Sequence, residues 1–277
     1  MENSQDIHTW LGQATSLYGV GRYKEAIAKL DKLLDINPAN YQAWNQRGYT
    51  LLKMGSYDEA IASFNNAIQI RPNFALPWHG KGIVHAKLNQ YEGAIKHFSQ
   101  ALKYNPDDYK AWYNQGNAQI CLYRYRDAIE SLDRAIGLKP NSYRAWYVRG
   151  TALASLRRYD DALSSLDTAL TIKQMCHYAW NYRGIVLNKL GRYDDAVKSF
   201  ESSLAYRSEN PSAWYGKACA YAAQGVVDRA VHSLYRAMVM SPNLYKLMAQ
   251  TDSTFDSIRH TTEFQALIQS GELGIAL

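Results

Sequence analysis

The chain has 277 residues, long enough for two ordinary domains, and carries 31 basic against 25 acidic residues for a net charge of +6. That excess is mild and interspersed, unlike a nucleic-acid-type basic block, and the three cysteines (Cys121, Cys176, Cys219) suggest neither a disulfide framework nor a metal site. No apolar run approaches the ~20 residues that span a bilayer, and the polar opening Met1-Glu2-Asn3-Ser4-Gln5-Asp6 lacks the basic-then-apolar order of a signal sequence, so a reducing cytoplasmic setting is expected.

Residues 1–6 read as a flexible N-terminus. From there a single period governs the chain, because its seven tryptophans, Trp10, Trp44, Trp78, Trp112, Trp146, Trp180 and Trp214, lie 34 residues apart. A period of that length marks stacked two-helix units and replaces the two-domain reading with one continuous array. The units are expected at 7–40, 41–74, 75–108, 109–142, 143–176, 177–210 and 211–244, followed by a capping segment at 245–277.

Within each unit the same residue types return in order. Four residues after the Trp come Ala14, Gly48, Gly82, Gly116, Gly150, Gly184 and Ala218, on the same face of a first helix. Tyr follows at thirteen in six units, at the bend between helices. Alanine at sixteen, Leu or Phe at twenty, and mostly Ala at twenty-three form the facing stripe of a second helix. Pro38, Pro72, Pro106, Pro140 and Pro242 then end it, with Gln174 and Ser208 breaking the column. A helical glycine costs roughly 1 kcal/mol relative to alanine. Its return in five units predicts an approach of two backbones too close for a larger side chain. Buried aromatic rings each remove on the order of 150–250 Å² from water, so the Trp grid is expected to carry much of the core energy.

This pattern, as in Ala43-Trp44-Asn45-Gln46-Arg47-Gly48, Tyr57-Asp58-Glu59-Ala60, Ala67 and Pro72, resembles the tetratricopeptide repeat over about residues 7–244. The resemblance implies an all-α, right-handed solenoid of helix-turn-helix units with a concave peptide-binding groove. One column departs from the family, which usually has Leu three residues after the Trp. Here it reads Gln13, Arg47, Lys81, Gln115, Arg149, Arg183 and Lys217, whose stems should cover aromatic rings with their heads in water or paired to the acidic turn. After Leu244, Tyr245, Leu247 and Met248 read as a short helix on the last hairpin, and Thr262-Glu263-Phe264-Gln265 as a capping box before the stripe Phe264, Leu267, Ile268. The ends at 1–6 and 270–277 read as frayed.

No phosphate loop, nucleophile elbow or metal-ligand spacing is present, so no enzyme and no cofactor is expected. The pairs Asp58/Glu59, Asp160/Asp161 and Asp194/Asp195 fall at one offset, where they complement the dipole of each second helix. A second stripe on the first helices, two residues before the Trp and one, five, eight and nine after it, should line the groove. It holds Tyr49, Lys53, Ile83, Lys87, Lys110, Tyr113, Asn117, Arg144, Tyr147, Asn181, Lys189 and Tyr215, with Asn114 beside it. Its charges are basic, its tyrosines recur, and its amides suit an extended backbone. The reading is therefore a protein-interaction adaptor or scaffold, monomeric or homodimeric, that accepts an acidic or C-terminal carboxylate peptide. An RNA-binding repeat protein and a self-associating structural subunit are the alternatives. The carboxylate clamp of heat-shock co-chaperones is not reproduced, since Asn114 and Arg144 fit it but His79, Ile83 and Val148 do not. A basic edge at Arg124, Arg126, Arg157, Arg158 and Arg192 is a second candidate surface. If the basic column beside the Trp is structural, Arg149→Met should cost under about 1.5 kcal/mol in chemical denaturation.

Overall fold

The computed structural model describes the backbone of residues 2–270 and the side chains of residues 9–269. Of the ends read as frayed, residues 1 and 271–277 lie outside this range, whereas Glu2 already opens the first helix. Regular structure among the described residues is helical throughout. Residues group into two compact units, Met1–Pro140 and Asn141–Leu277, with the boundary between the fourth and fifth hairpins.

The first unit pairs α1 (Glu2–Gly19) with α2 (Tyr23–Ile36), α3 (Tyr41–Met54) with α4 (Tyr57–Ile70), α5 (Ala75–Lys87) with α6 (Tyr91–Tyr104), and α7 (Tyr109–Cys121) with α8 (Tyr125–Leu138). The second pairs α9 (Tyr143–Ser155) with α10 (Tyr159–Ile172), α11 (His177–Lys189) with α12 (Tyr193–Tyr206), and α13 (Pro211–Ala223) with α14 (Val227–Met240). It ends in α15 (Pro242–Thr251), a short 3-10 turn Ser253–Phe255, and α16 (Thr262–Ser270). From α3 onward first helices begin every 34 residues, and the bend tyrosine is the first residue of six second helices. Before each of these helices one residue turns left-handed. Gly21, Gly55, Gly191 and Gly225 take this conformation easily, but Asn89, Tyr123 and Arg157 also adopt it, at φ 58–59°.

The core differs from the expected Trp grid. All seven tryptophans are half-buried. What is wholly enclosed is the alanine column Ala26, Ala60, Ala94, Ala128, Ala162, Ala196 and Ala230, together with Leu30, Phe64, Phe98, Leu132, Leu166, Phe200 and Leu234. The nearest atoms facing the glycines belong to these side chains. A Cβ on Gly48 would lie 2.5 Å from the Phe64 ring, one on Gly82 2.5 Å from Phe98, and one on Gly184 2.6 Å from Phe200. At Gly116 and Gly150, where the facing residue is leucine, a backbone oxygen is also among the nearest atoms, at 3.3 and 3.2 Å.

The tryptophans join successive hairpins instead. The indole N–H of Trp44, Trp78, Trp112, Trp180 and Trp214 donates to the backbone carbonyl six residues earlier, at 2.8–3.1 Å. Such a bond is worth about 0.5–1.5 kcal/mol net. Because the acceptor is main chain, Gln174 and Ser208 serve as well as proline, which explains how the proline column can break without loss of the joint.

The C-terminal segment caps its own unit. Both α15 and α16 pack on α14, and the 3-10 turn packs on α13. The buried residues of α15 are Tyr245 and Ala249, one turn apart, while Leu247 and Met248, expected on the packed face, are 61% and 37% exposed. Phe255, Ile258, Phe264, Leu267 and Ile268 are buried as a cluster. The N-cap of α16 is Thr261, one residue earlier than expected. Its hydroxyl accepts the Phe264 N–H at 3.4 Å, and Gln265 donates instead to the Arg259 carbonyl.

The ring–glycine contact yields a paired prediction. Gly48→Ala forces a methyl into Phe64 and should destabilise by about 1–3 kcal/mol. Gly137→Ala, with nothing within 4 Å of the new Cβ, should stabilise α8 by about 0.5–1 kcal/mol. Urea midpoints of the two variants should move in opposite directions.

Candidate functional site

Five of the residues expected in the groove meet in the first unit. Tyr49, Lys53, Ile83, Lys87 and Lys110, on the first helices of the second, third and fourth hairpins, line an open groove of ≈ 660 Å³. Tyr18, Leu52, Met54, Gly55, Tyr57, Leu76 and His79 complete it, and no carboxylate is among the lining residues described.

The walls are held by hydrogen bonds that the sequence did not reveal. Tyr49 stands edge-on to Phe64 at 5.2 Å and its hydroxyl donates to the Leu76 carbonyl at 2.9 Å. Burial, with Asp108 and Tyr18 nearby, pushes that phenol well above its ordinary pKa. His79 is buried, with Nδ1 3.5 Å from the Asp108 carboxylate and Nε2 3.0 Å from the Asn114 amide nitrogen. An amide nitrogen only donates, so Nε2 is the acceptor and the proton sits on Nδ1, toward Asp108. Burial lowers the His79 pKa; Asp108 opposes this and Lys110 adds to it. Asp108 also accepts the Lys110 and Ala111 N–H groups at the start of α7, so the side chain that orients His79 also caps the helix carrying Lys110.

The amides expected to face a peptide are largely engaged within the array. Asn114 donates to His79, Asn117 to the Tyr113 carbonyl at 2.8 Å, and Asn181 to Ser212 at 3.2 Å. Asn45 is buried, and its Oδ1, like that of Asn181, has no hydrogen-bond partner among the described residues.

In the second unit the expected groove residues fall into two groups. Tyr147 packs edge-on against Tyr178 at 4.7 Å and Tyr182 at 6.1 Å, while Arg144 lies over the Tyr143 ring and donates to its hydroxyl. Lys189 and Tyr215 instead line a smaller pocket of ≈ 290 Å³ with Ile185, Asn188, Ser212, Cys219, Met248, Asp252 and Thr254. There the Tyr215 hydroxyl donates to Asp252 Oδ2 at 2.9 Å, and the Cys219 thiol lies 3.9 Å from the same oxygen. Burial, reinforced by Asp252, pushes the Cys219 thiol up to about 12. Burial would raise Asp252, but hydrogen bonds from Thr254 and Tyr215 and the Lys189 charge outweigh it, so its pKa ends below the usual carboxylate value. The sequence reading missed Asp252, which lies outside the repeat period.

The basic column beside the tryptophans is structural. Arg47, Lys81, Arg149, Arg183 and Lys217 lie over the Trp44, Trp78, Trp146, Trp180 and Trp214 rings at 5.5–6.0 Å. Three of these heads, expected in water or at the acidic turn, pair instead with an earlier carboxylate. Arg47 pairs with Asp31 at 2.7 Å, Arg183 with Asp167 at 2.6 Å and Lys217 with Glu201 at 2.8 Å, each on the preceding second helix. Arg47, Arg149 and Arg183 also donate to Ser63, Ser165 and Ser199 of their own hairpins. The acidic turns serve the edge arginines: Arg158 pairs with Asp161 and Arg192 with Asp195, both at 2.7 Å. Arg124, Arg126 and Arg157 are exposed. A second cation–π column also escaped the sequence reading: Arg71, Lys139 and Lys173 sit 4.6–4.9 Å from the Tyr41, Tyr109 and Tyr143 rings.

The half-buried indoles, the alanine and glycine columns and the 34-residue hairpin are those of the tetratricopeptide repeat, and its sequence profiles match residues 41–74, 84–120, 123–174 and 175–244. The chain belongs to the tetratricopeptide repeat family, whose helical arrays are scaffolds for protein–protein interaction. A profile of the protein prenyltransferase alpha subunit repeat also matches at 23–54 and 159–190, each time the second helix of one hairpin with the first of the next. No curated protein matches the sequence. Among solved structures, a tetratricopeptide repeat protein from Parabacteroides merdae aligns over 89% of this chain and 98% of its own, with TM-score 0.63 and 18% identity. PilW, described as a widely conserved type IV pilus biogenesis factor, aligns over 75% and 96% with TM-score 0.67 and 19% identity. YrrB, described as a TPR protein with an unusual peptide-binding site, aligns over 68% and 98% with TM-score 0.58 and 23% identity. These likenesses establish the fold. Among the described residues no group of three or more His, Cys, Asp or Glu side chains could hold a metal, and no helix is long and apolar enough to cross a membrane.

One histidine makes stability depend on pH. His97, against the Trp78 and His85 rings, is pushed down to about 4 by burial, with Lys81, His85 and Lys96 adding to the shift. The unfolded chain takes up this proton near 6.5 and the folded chain only near 4. Its contribution is therefore fully present above 6.5 and is lost as pH falls through that window. Thermal midpoints of His97→Gln should fall less than wild type between pH 7 and pH 4.5.

Proposed function

We propose that the chain is a non-enzymatic adaptor or assembly scaffold that holds an acidic segment of a partner protein in the groove of its second to fourth hairpins. The observation that carries this reading is the pairing of charge with apolar surface: Lys53, Lys87 and Lys110 border a groove whose floor is Tyr49, Leu52, Leu76 and Ile83. Cations along a half-enclosed apolar channel attract an extended acidic chain and leave room for an apolar anchor side chain. His79 adds no charge at neutral pH, since burial keeps it in the neutral form. YrrB is described as having a peptide-binding site, and a peptide-holding surface is the use we infer for this groove. The free thiols Cys121, Cys176 and Cys219, the first of them exposed, suit a reducing compartment such as the cytoplasm.

A fluorescent decamer of glutamates around one central phenylalanine tests the reading by anisotropy. Binding should weaken with added salt and fall by about tenfold or more in a Lys53→Glu/Lys110→Glu variant. Affinity indifferent to both would overturn the acidic-segment reading, and tight binding of single-stranded RNA in place of the peptide would transfer the groove to the nucleic-acid alternative.

A further inference from the structure

The chain's own C-terminal segment already sits on one copy of the surface just described. Asp252-Ser253-Thr254-Phe255 lies against α13, with the Asp252 carboxylate on the Tyr215 hydroxyl at 2.9 Å and its other oxygen taking the Thr254 N–H at 2.9 Å. Phe255, wholly buried, packs on the Tyr215 ring at 5.8 Å. Lys189, Ile185 and Ser212 border the pocket that remains. An acidic residue thus lines the junction of the sixth and seventh hairpins, and an aromatic three positions later packs on the same tyrosine.

Three periods earlier the same phases recur at the junction of the third and fourth hairpins. Ile83 stands for Ile185, Lys87 for Lys189, Lys110 for Ser212, Tyr113 for Tyr215 and Asn117 for Cys219. Here Ile83, Lys87 and Lys110 open onto the groove, and the Tyr113 hydroxyl has no hydrogen-bond partner among the described residues. The exchange of Ser212 for Lys110 adds a cation where the covered copy has a hydroxyl.

We infer that Lys87, Lys110 and Tyr113 form a carboxylate subsite whose ligand is a partner segment of the form acidic-x-x-aromatic, of which Asp252–Phe255 is the internal counterpart. The carboxylate takes the Tyr113 O–H and faces the two lysines, and the aromatic ring lies on Tyr113 beside Ile120. This inference rests on the groove reading above and adds to it a sequence pattern and a specific tyrosine.

The test uses the full chain and a labelled synthetic peptide spanning residues 247–258. The tethered copy keeps its own place on Tyr215 through its high effective concentration, so added peptide reports on the open junction. Saturable binding is expected. It should weaken about tenfold when Asp252 of the peptide is replaced by Asn or Phe255 by Ala, and severalfold in Tyr113→Phe protein, which loses one hydrogen bond to a charged group. Lys87→Glu should weaken it further, with unchanged circular dichroism. Absence of saturable binding overturns the inference, as does binding indifferent to exchanging Phe255 with Ser253, which puts the ring next to Asp252, or lost in Tyr215→Phe rather than Tyr113→Phe. If spacing and Tyr113 do not matter while the glutamate decamer still binds through its lysines, the subsite falls and the groove reading stands. If neither this peptide nor the decamer binds, both fall.

Discussion

Each hairpin closes because the glycine on its first helix, or the alanine in its place, makes room for one large side chain from its second. The ring of Phe64 illustrates the constraint: a Cβ on Gly48 would meet it at 2.5 Å and one on Gly80, in the next hairpin, at 2.3 Å. Phe200 is held in the same way between Gly184 and Gly216. Where the second glycine is absent, the packing residue is smaller (Leu166, with Tyr182 at that position of the next hairpin) or finds another neighbour. Phe98 takes the latter course, with the His79 ring 5.7 Å away and Asn114 turned to hydrogen-bond that histidine. The identity of one core residue thereby sets what its neighbours show to the groove, and the third hairpin differs from the others for this packing reason. Close-packed rings with little room to shift also hold the groove columns, one and five residues after each Trp, at fixed spacing.

The joints between hairpins are polar and half-exposed, and individually weak. An indole N–H on a backbone carbonyl contributes about 0.5–1.5 kcal/mol, and a part-exposed pair such as Arg47–Asp31 at most about 1. Their strength lies in repetition, because a linear array is stabilised by each nearest-neighbour interface in turn. The +3 column shows why the chain departs from the leucine common in its family. An arginine there covers the indole, pairs with the preceding hairpin and donates to a serine of its own, three contacts that a leucine would replace with one.

The fold was legible because its signals are periodic: a Trp every 34 residues, a glycine at a fixed offset and a tyrosine opening each second helix leave little freedom in placing helices. What periodicity conceals is depth. Trp78 and Phe98 belong to equally regular columns, yet only the phenylalanine is enclosed, because the indole sits at the junction of two hairpins where its N–H must reach a carbonyl. Side-chain partners were legible only where they lie within a turn, as in the acidic starts of the second helices. Arg47 to Asp31, Tyr41 to Arg71 and Tyr215 to Asp252 join residues 16, 30 and 37 apart, and a stripe read along one helix contains none of these. For the same reason Asn114 and Asn117, legible as groove amides, are engaged by neighbours that the stripe does not show.

The positive groove arises from where the acids lie more than from an excess of lysine. A net charge of +6 over 277 residues is small, and in both units carboxylates are engaged by local partners. Asp31, Asp167 and Glu201 answer the cations beside the tryptophans, and Glu25, Asp161 and Asp195 neutralise arginines at the turns. Asp108 is turned inward to His79 and two backbone N–H groups, and Asp252 is bound within the cap. Lys53, Lys87 and Lys110 are thereby left facing one channel with no carboxylate among its described lining. A field of this kind depends on structure as much as on sequence: releasing the cap or breaking a turn pair frees a carboxylate elsewhere without changing the net charge. The charge that the groove presents is therefore coupled to the polar contacts that hold Asp31 and Asp108 within the same unit.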